Sequence, residues 1–173
     1  NAEDGDSEIY IERAEAADRR RLTTNDFHDN DPSWSPDGKS IAFASDRSGS
    51  WQIHRMDSDG ENVVQLTNEE SGCIGPKYGA HGQLAYLISR GRKEKQELFD
   101  WVISKEATLQ RLETNIPIYS FAWHPDGESI GCASDGRFMF HNLREGTTKR
   151  VEFKDTDMRL TSYTLVDCRS EEH

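Results

Sequence analysis

Apolar and polar positions alternate with a period of two in short runs, and clusters of Gly, Pro, Asp and Ser separate those runs. The stretch from Asp31 to Gly60 shows the pattern most completely. Trp34 closes a first short strand, and Ser35-Pro36-Asp37-Gly38 follows as a tight turn in which proline presets φ and glycine takes the positive-φ position. Ile41 to Ala44 form a second strand and Asp46 to Gly49 a second turn. Trp51 to Met56 alternate into a third strand, and Asp57 to Gly60 turn the chain toward a fourth at Val63 to Leu66.

The unit recurs. Leu22-Thr23, Leu66-Thr67 and Leu112-Glu113 occupy equivalent points, at the period of about 45 residues expected of four-stranded propeller blades. Trp34 is matched by Tyr78 and Trp123, and Pro36-Asp37-Gly38 by Pro125-Asp126-Gly127. The pair Ile41/Phe43 is matched by Leu84/Tyr86 and Ile130/Cys132. One aromatic at a fixed point of each unit is read as a packing device between neighbouring blades.

The run Leu22-Thr23 followed by Pro32-Ser33-Trp34-Ser35-Pro36-Asp37-Gly38-Lys39 and Ile41-Ala42-Phe43-Ala44-Ser45-Asp46-Arg47 resembles the repeat of TolB-type, WD-repeat-like β-propellers. The resemblance is strong from Arg21 to Leu66. It is abbreviated from Tyr119 to Phe153 and weak from Glu69 to Arg111, where Gly79-Ala80-His81-Gly82 replaces the proline turn and Arg90 to Gln96 is expected to be an extended charged loop.

The expected architecture is all-β, one propeller domain over 1–173. It divides into a partial blade at 1–23, blades at 24–67, 68–113 (divergent) and 114–154, and a partial blade at 155–173. Asp4 to Ile11 reads as the third strand of the first partial blade and Arg19 to Thr23 as its fourth. Arg159 to Cys168 reads as strands without partners, and the two ends are expected to share one blade. Three arrangements stay open: a compact four-bladed ring, a half that associates with a second copy, and a piece of a longer propeller.

Hydrophobic content of 34% suits thin blades that bury alternate positions. No run approaches the roughly 20 apolar residues that span a bilayer, and no apolar leader opens the sequence, so membrane insertion is not expected. A net charge of −11 argues against nucleic acid, which needs clustered cations. The clusters Arg19-Arg20-Arg21 and Arg90 to Lys95 are read as protected edges or solvated loops. Cys73, Cys132 and Cys168 make neither a disulfide framework nor a metal motif, although a Cys73 to Cys168 bridge stays open; Cys132 is read as a small buried hydrophobe.

Enzymatic motifs are missing. His28, His54, His81, His124, His141 and His173 are scattered, each expected at the surface or in a turn. Asp37-Gly38-Lys39-Ser40 lacks the leading glycine of a phosphate loop, with Ser33 in its place, and no Gly-x-Ser-x-Gly elbow occurs. The acidic turns Asp4-Gly5-Asp6 and Asp57 to Gly60 lack calcium-loop spacing.

One constellation stands out: His28-Asp29-Asn30-Asp31, at the entry of an innermost strand and therefore at a channel mouth. Counting three residues back from each aromatic gives Gly75 and Ser120 as the equivalents of Asp31. The candidate binding residues are thus His28, Asp29, Asp31, Tyr119 and Ser120. No cofactor is expected. Calcium in the channel stays open, against the reading that Asp29 and Asp31 only orient the strand entry through Asx hydrogen bonds, since two carboxylates supply too few oxygens.

The resemblance implies a non-catalytic scaffold of the periplasm or cell envelope, with a cytoplasmic location also open, that captures a protein or peptide partner on its channel side. An acidic surface favours a basic partner and a salt-sensitive on-rate. The rival readings are an accessory propeller of a prolyl-oligopeptidase-like hydrolase or a carbohydrate-active protein, and a purely structural repeat.

Overall fold

A computed structural model describes residues 5–13, 16–93, 96–105, 108–112, 118, 120–134 and 137–152. Tyr119, Glu113, Cys168, His173 and the strands expected within Arg159 to Cys168 lie outside these residues.

Among the described residues, three four-stranded antiparallel sheets follow one another. Their strands are β3 (Asp29–Trp34), β4 (Ser40–Ser45), β5 (Gln52–Asp57) and β6 (Val64–Gln65); β7 (Cys73–Tyr78), β8 (Leu84–Lys93), β9 (Gln96–Lys105) and β10 (Thr108–Leu112); and β11 (Ser120–Trp123), β12 (Ser129–Ser134), β13 (Arg137–Asn142) and β14 (Thr147–Glu152). Each is a meander of sequential neighbours, and a two-stranded sheet of β1 (Tyr10–Arg13) and β2 (Ala16–Arg21) precedes them. The first strands β3, β7 and β11 pack side by side, β7 between the other two, as the inner strands of propeller blades do.

Three apolar clusters lie between sheets rather than within one. Ile9, Ile41, Phe43 and Met56 join the two-stranded sheet to the first full blade. Ala42, Ala44 and Ile53 meet Leu84, Tyr86 and Ile88 of the next blade, and Ala85, Leu87 and Ile103 meet Phe121, Ile130 and Cys132 of the last. The second strands β4 and β8 therefore present their odd and even positions to different neighbours. This is why Ile41 to Ala44 and Leu84 to Ile88 are unbroken apolar runs rather than alternating ones.

The Leu-Thr pairs explain themselves in backbone terms. Leu66 N–H donates to Ile53 O (2.7 Å) and Ile53 N–H to Thr67 Oγ1 (2.8 Å). Likewise Leu22 N–H donates to Ile9 O (2.8 Å) and Ile9 N–H to Thr23 Oγ1 (3.0 Å). Each threonine hydroxyl passes its proton on, Thr67 to Gln52 Oε1 and Thr23 to Glu8 Oε2. Bond for bond, β1 and β2 repeat the third and fourth strands of the following blade.

Two expectations are corrected. The segment expected as a loop from Arg90 to Gln96 is strand at its described residues: β8 extends to Lys93 and β9 begins at Gln96. The register shifts between Ser89 and Arg92, after which Arg92 pairs with Glu97 and Lys93 with Gln96. His54 and His141 are not at the surface or in turns but buried. His54 stacks on Phe43 at 5.7 Å with its Nδ1 3.2 Å from Gln52 O, and His141 lies between Gln110 and Thr148. Both are buried among the blades, His141 with partners at both ring nitrogens and His54 with one at Nδ1.

Candidate functional site

The inner strands carry matching irregularities. The β3–β4 register shifts between Asn30 and Ser33, and the β7–β8 register shifts between Ile74 and Lys77. Within these bulges Asp31 (φ 53) and Gly75 (φ 62) take the left-handed conformation, each followed by a proline, Pro32 or Pro76. Bulges re-aim side chains, and proline suits an inner edge that has no further strand to donate to.

The bulges help to line a cavity of about 390 Å³ whose walls come from all three inner strands, with Asp31, Gly75, Lys77, Ser120 and Phe121 among its lining residues. That volume falls within the few hundred to about 1,000 Å³ typical of ligand sites. Neighbouring walls are tied together at the repeated aromatic. Tyr78 N–H donates to Ser33 Oγ (2.9 Å), and Trp123 Nε1–H to Lys77 O (2.8 Å). The Lys77 ammonium lies 5.7 Å from the centre of the Phe121 ring, a cation–π contact that keeps the charge at the cavity wall.

Asp31, Gly75 and Ser120, which counting from the aromatic makes equivalent, therefore meet at one cavity. His28 and Asp29 do not line it. Asp29 is 1% exposed, takes Arg47 Nη2 on both carboxylate oxygens at 2.9 Å, and accepts from Asn25 Nδ2 at 2.8 Å. His28 stacks on Trp51, and its Nδ1 accepts from Ser7 N–H (3.2 Å). Both residues fasten the strand entry to its surroundings, Asp29 through the side chains of Arg47 and Asn25 rather than through an Asx bond to its own backbone. Lys77 and Phe121 were missed. The same count from the aromatic finds them, one and two residues before it, so the signal was in the repeat.

Among the described residues, no group of three or more His, Cys, Asp or Glu assembles to hold a metal. Burial pushes the Cys73 thiol up to about 11 and Cys132 up to about 12, so both are inert small hydrophobes rather than nucleophiles. A second cavity, of about 570 Å³, is lined by residues such as Gln83, Gln110, Glu128 and Arg144. Gln83 there donates to Gly127 O and Gln110 meets His141, while Arg144 lies 4.0 Å from Glu128 with both side chains exposed.

A family described as the TolB beta propeller domain matches residues 1–109. Among curated proteins, the chain is 24% identical over 152 residues to the uncharacterized peptidase YuxL of Bacillus subtilis, covering 87% of this chain and 22% of that protein. It is 46% identical over 55 residues to the Tol-Pal system protein TolB of Bordetella pertussis, covering 31% of this chain and 13% of that one. The crystal structure of TolB from Acinetobacter baumannii superposes with a TM-score of 0.66 at 20% identity, over 84% of this chain and 37% of that chain, a likeness of fold. The chain thus spans well under half the length of each of these relatives.

Proposed function

The chain belongs to the TolB β-propeller family, and on that premise we propose that it is a non-catalytic binding module of the cell envelope that takes an extended segment of a protein partner into the cavity between its inner strands. The observation that carries this reading is that cavity itself. Three blades share its walls, and it joins an apolar surface (Pro32, Ile74, Phe121) to two charged side chains, Asp31 and Lys77. Cross-blade hydrogen bonds hold the walls, so little conformational entropy is lost when a segment docks. The net charge of −11 adds long-range attraction for a basic partner, expressed mainly in the association rate.

Placing a photo-crosslinking amino acid at Ser120, on the cavity wall, and separately at Leu109, 65% exposed on the outer strand β10, tests the location. With envelope extract of the source organism, one protein is expected to crosslink at position 120 and not at 109. Equal labelling at both positions, or none at 120, contradicts the reading.

The second reading is an accessory propeller of a peptidase, favoured by the match of 87% of the chain to part of the peptidase YuxL. In that case the cavity lies on the route to a catalytic domain, and the complete gene product hydrolyses peptides. Absence of peptidase activity in the complete product removes this reading.

A further inference from the structure

We propose that Asp31 is the selecting group of this cavity, and that the segment bound there carries a single basic side chain, lysine or arginine, whose cation pairs with the Asp31 carboxylate. The proposal rests on the binding-module reading and adds the chemistry of the partner.

The first observation is conformational. Asp31 has φ 53, a left-handed conformation that aspartate adopts more readily than other L residues when its side chain hydrogen-bonds locally, a bond this carboxylate does not make. The equivalent position in the next blade is Gly75 at φ 62, which needs no such bond. The chain places an aspartate where its own repeat places the stereochemically suited residue, and outliers of this kind cluster where a side chain is used.

The second observation is the carboxylate's lack of employment. Asp29 is taken by Arg47 and Asn25, Asp37 by Ser35 and the Lys39 N–H, and Asp46 by the His28 N–H. Asp31 makes no hydrogen bond or ion pair with any described residue. Its structural contribution is therefore negative, while its position on the cavity wall makes it available to a ligand.

The third observation sets the number of charges. Lys77 on the adjacent inner strand lines the same cavity, and its ammonium repels a second cation. The fitting occupant is therefore one basic residue within an otherwise neutral or mixed segment, not a polycation. Asp31 is exposed on the concave wall, so a ligand cation reaches its carboxylate without displacing a protein partner.

The test uses the full chain and two fluorescent nonapeptide libraries, acetylated and amidated, with a central Lys or a central Glu and the other positions randomised without cysteine. Fluorescence polarisation is expected to give about threefold tighter binding of the Lys library, the value of a solvent-exposed ion pair. Asp31→Asn and Asp31→Gly are expected to abolish that preference, and Asp31→Gly to melt no lower than the parent.

Each other result overturns the proposal in its own way. Equal binding of both libraries, or a preference that survives Asp31→Asn, removes the charge selection while leaving the module reading intact. A melting temperature lowered by Asp31→Gly makes the carboxylate structural. Spermidine competing as well as the Lys library makes the site one for free cations. Binding of neither library overturns both this inference and the cavity reading beneath it.

Discussion

Asp29 and Asp31 stand two residues apart and do opposite work. Asp29 neutralises Arg47 inside the fold, whereas Asp31 has no partner among the described residues and lines the cavity. The sequence grouped them because both precede the first strand. It did not show which carboxylate the Arg47 guanidinium would claim, since that partner lies on the far side of a hairpin. Asp29→Ala strands the Arg47 cation and is expected to cost about 2 to 3 kcal/mol, below the value for a fully buried pair because the Arg47 side chain is 23% exposed. Urea unfolding with an unchanged m-value measures it. His54 and His141 carry a pH signature. Burial holds both below the ordinary imidazole range, so the unfolded chain takes up protons first as pH falls through about 6.5. The stability these residues contribute is present above that pH and is lost as pH drops toward their folded values. His54→Phe is expected to flatten the dependence of melting temperature on pH below about 6.5; an unchanged slope contradicts the assignment.

Blade elements were the most legible feature, because each turn carries its own chemistry and each second strand its apolar run. Pro36-Asp37-Gly38 makes the turn it spells, with Gly38 N–H donating to Ser35 O at 2.9 Å. The far ends of β8 and β9 were illegible for the opposite reason: composition alone marks Arg90 to Gln96 as solvated, and only the cross-strand register pairs Arg92 with Glu97 and Lys93 with Gln96. The Leu-Thr signature was visible as a spacing, but its cause is an element-level hydrogen bond. Thr67→Val removes the acceptor of Ile53 N–H and the donor to Gln52, both buried, and is expected to cost about 2 kcal/mol. Gly60 matters between elements. It has φ +94, and a Cβ there would sit 2.7 Å from the Leu22 carbonyl oxygen at the end of the preceding two-stranded sheet. Gly60→Ala is therefore expected to lower stability by more than about 1 kcal/mol, from backbone strain added to the steric clash. Thermal unfolding checks it, and an unaffected melting temperature would show that this turn is free to move.

At the scale of the molecule, the cores lie between blades, so each blade stabilises its neighbours and the inner strands form one rigid wall. The period and the aromatic positions made this arrangement readable in advance. The number of blades and the partner were not, because a repeat specifies its nearest neighbour and not where the series closes. The central claim is that the inner-strand cavity is the binding surface. Hydrogen–deuterium exchange on the chain alone and with its crosslinked partner segment tests it most directly. The account predicts added protection at Asp29–Trp34, Cys73–Tyr78 and Ser120–Trp123, the three inner strands, with the outer strands Val64–Gln65 and Thr108–Leu112 unchanged. Protection confined to the outer strands would contradict it.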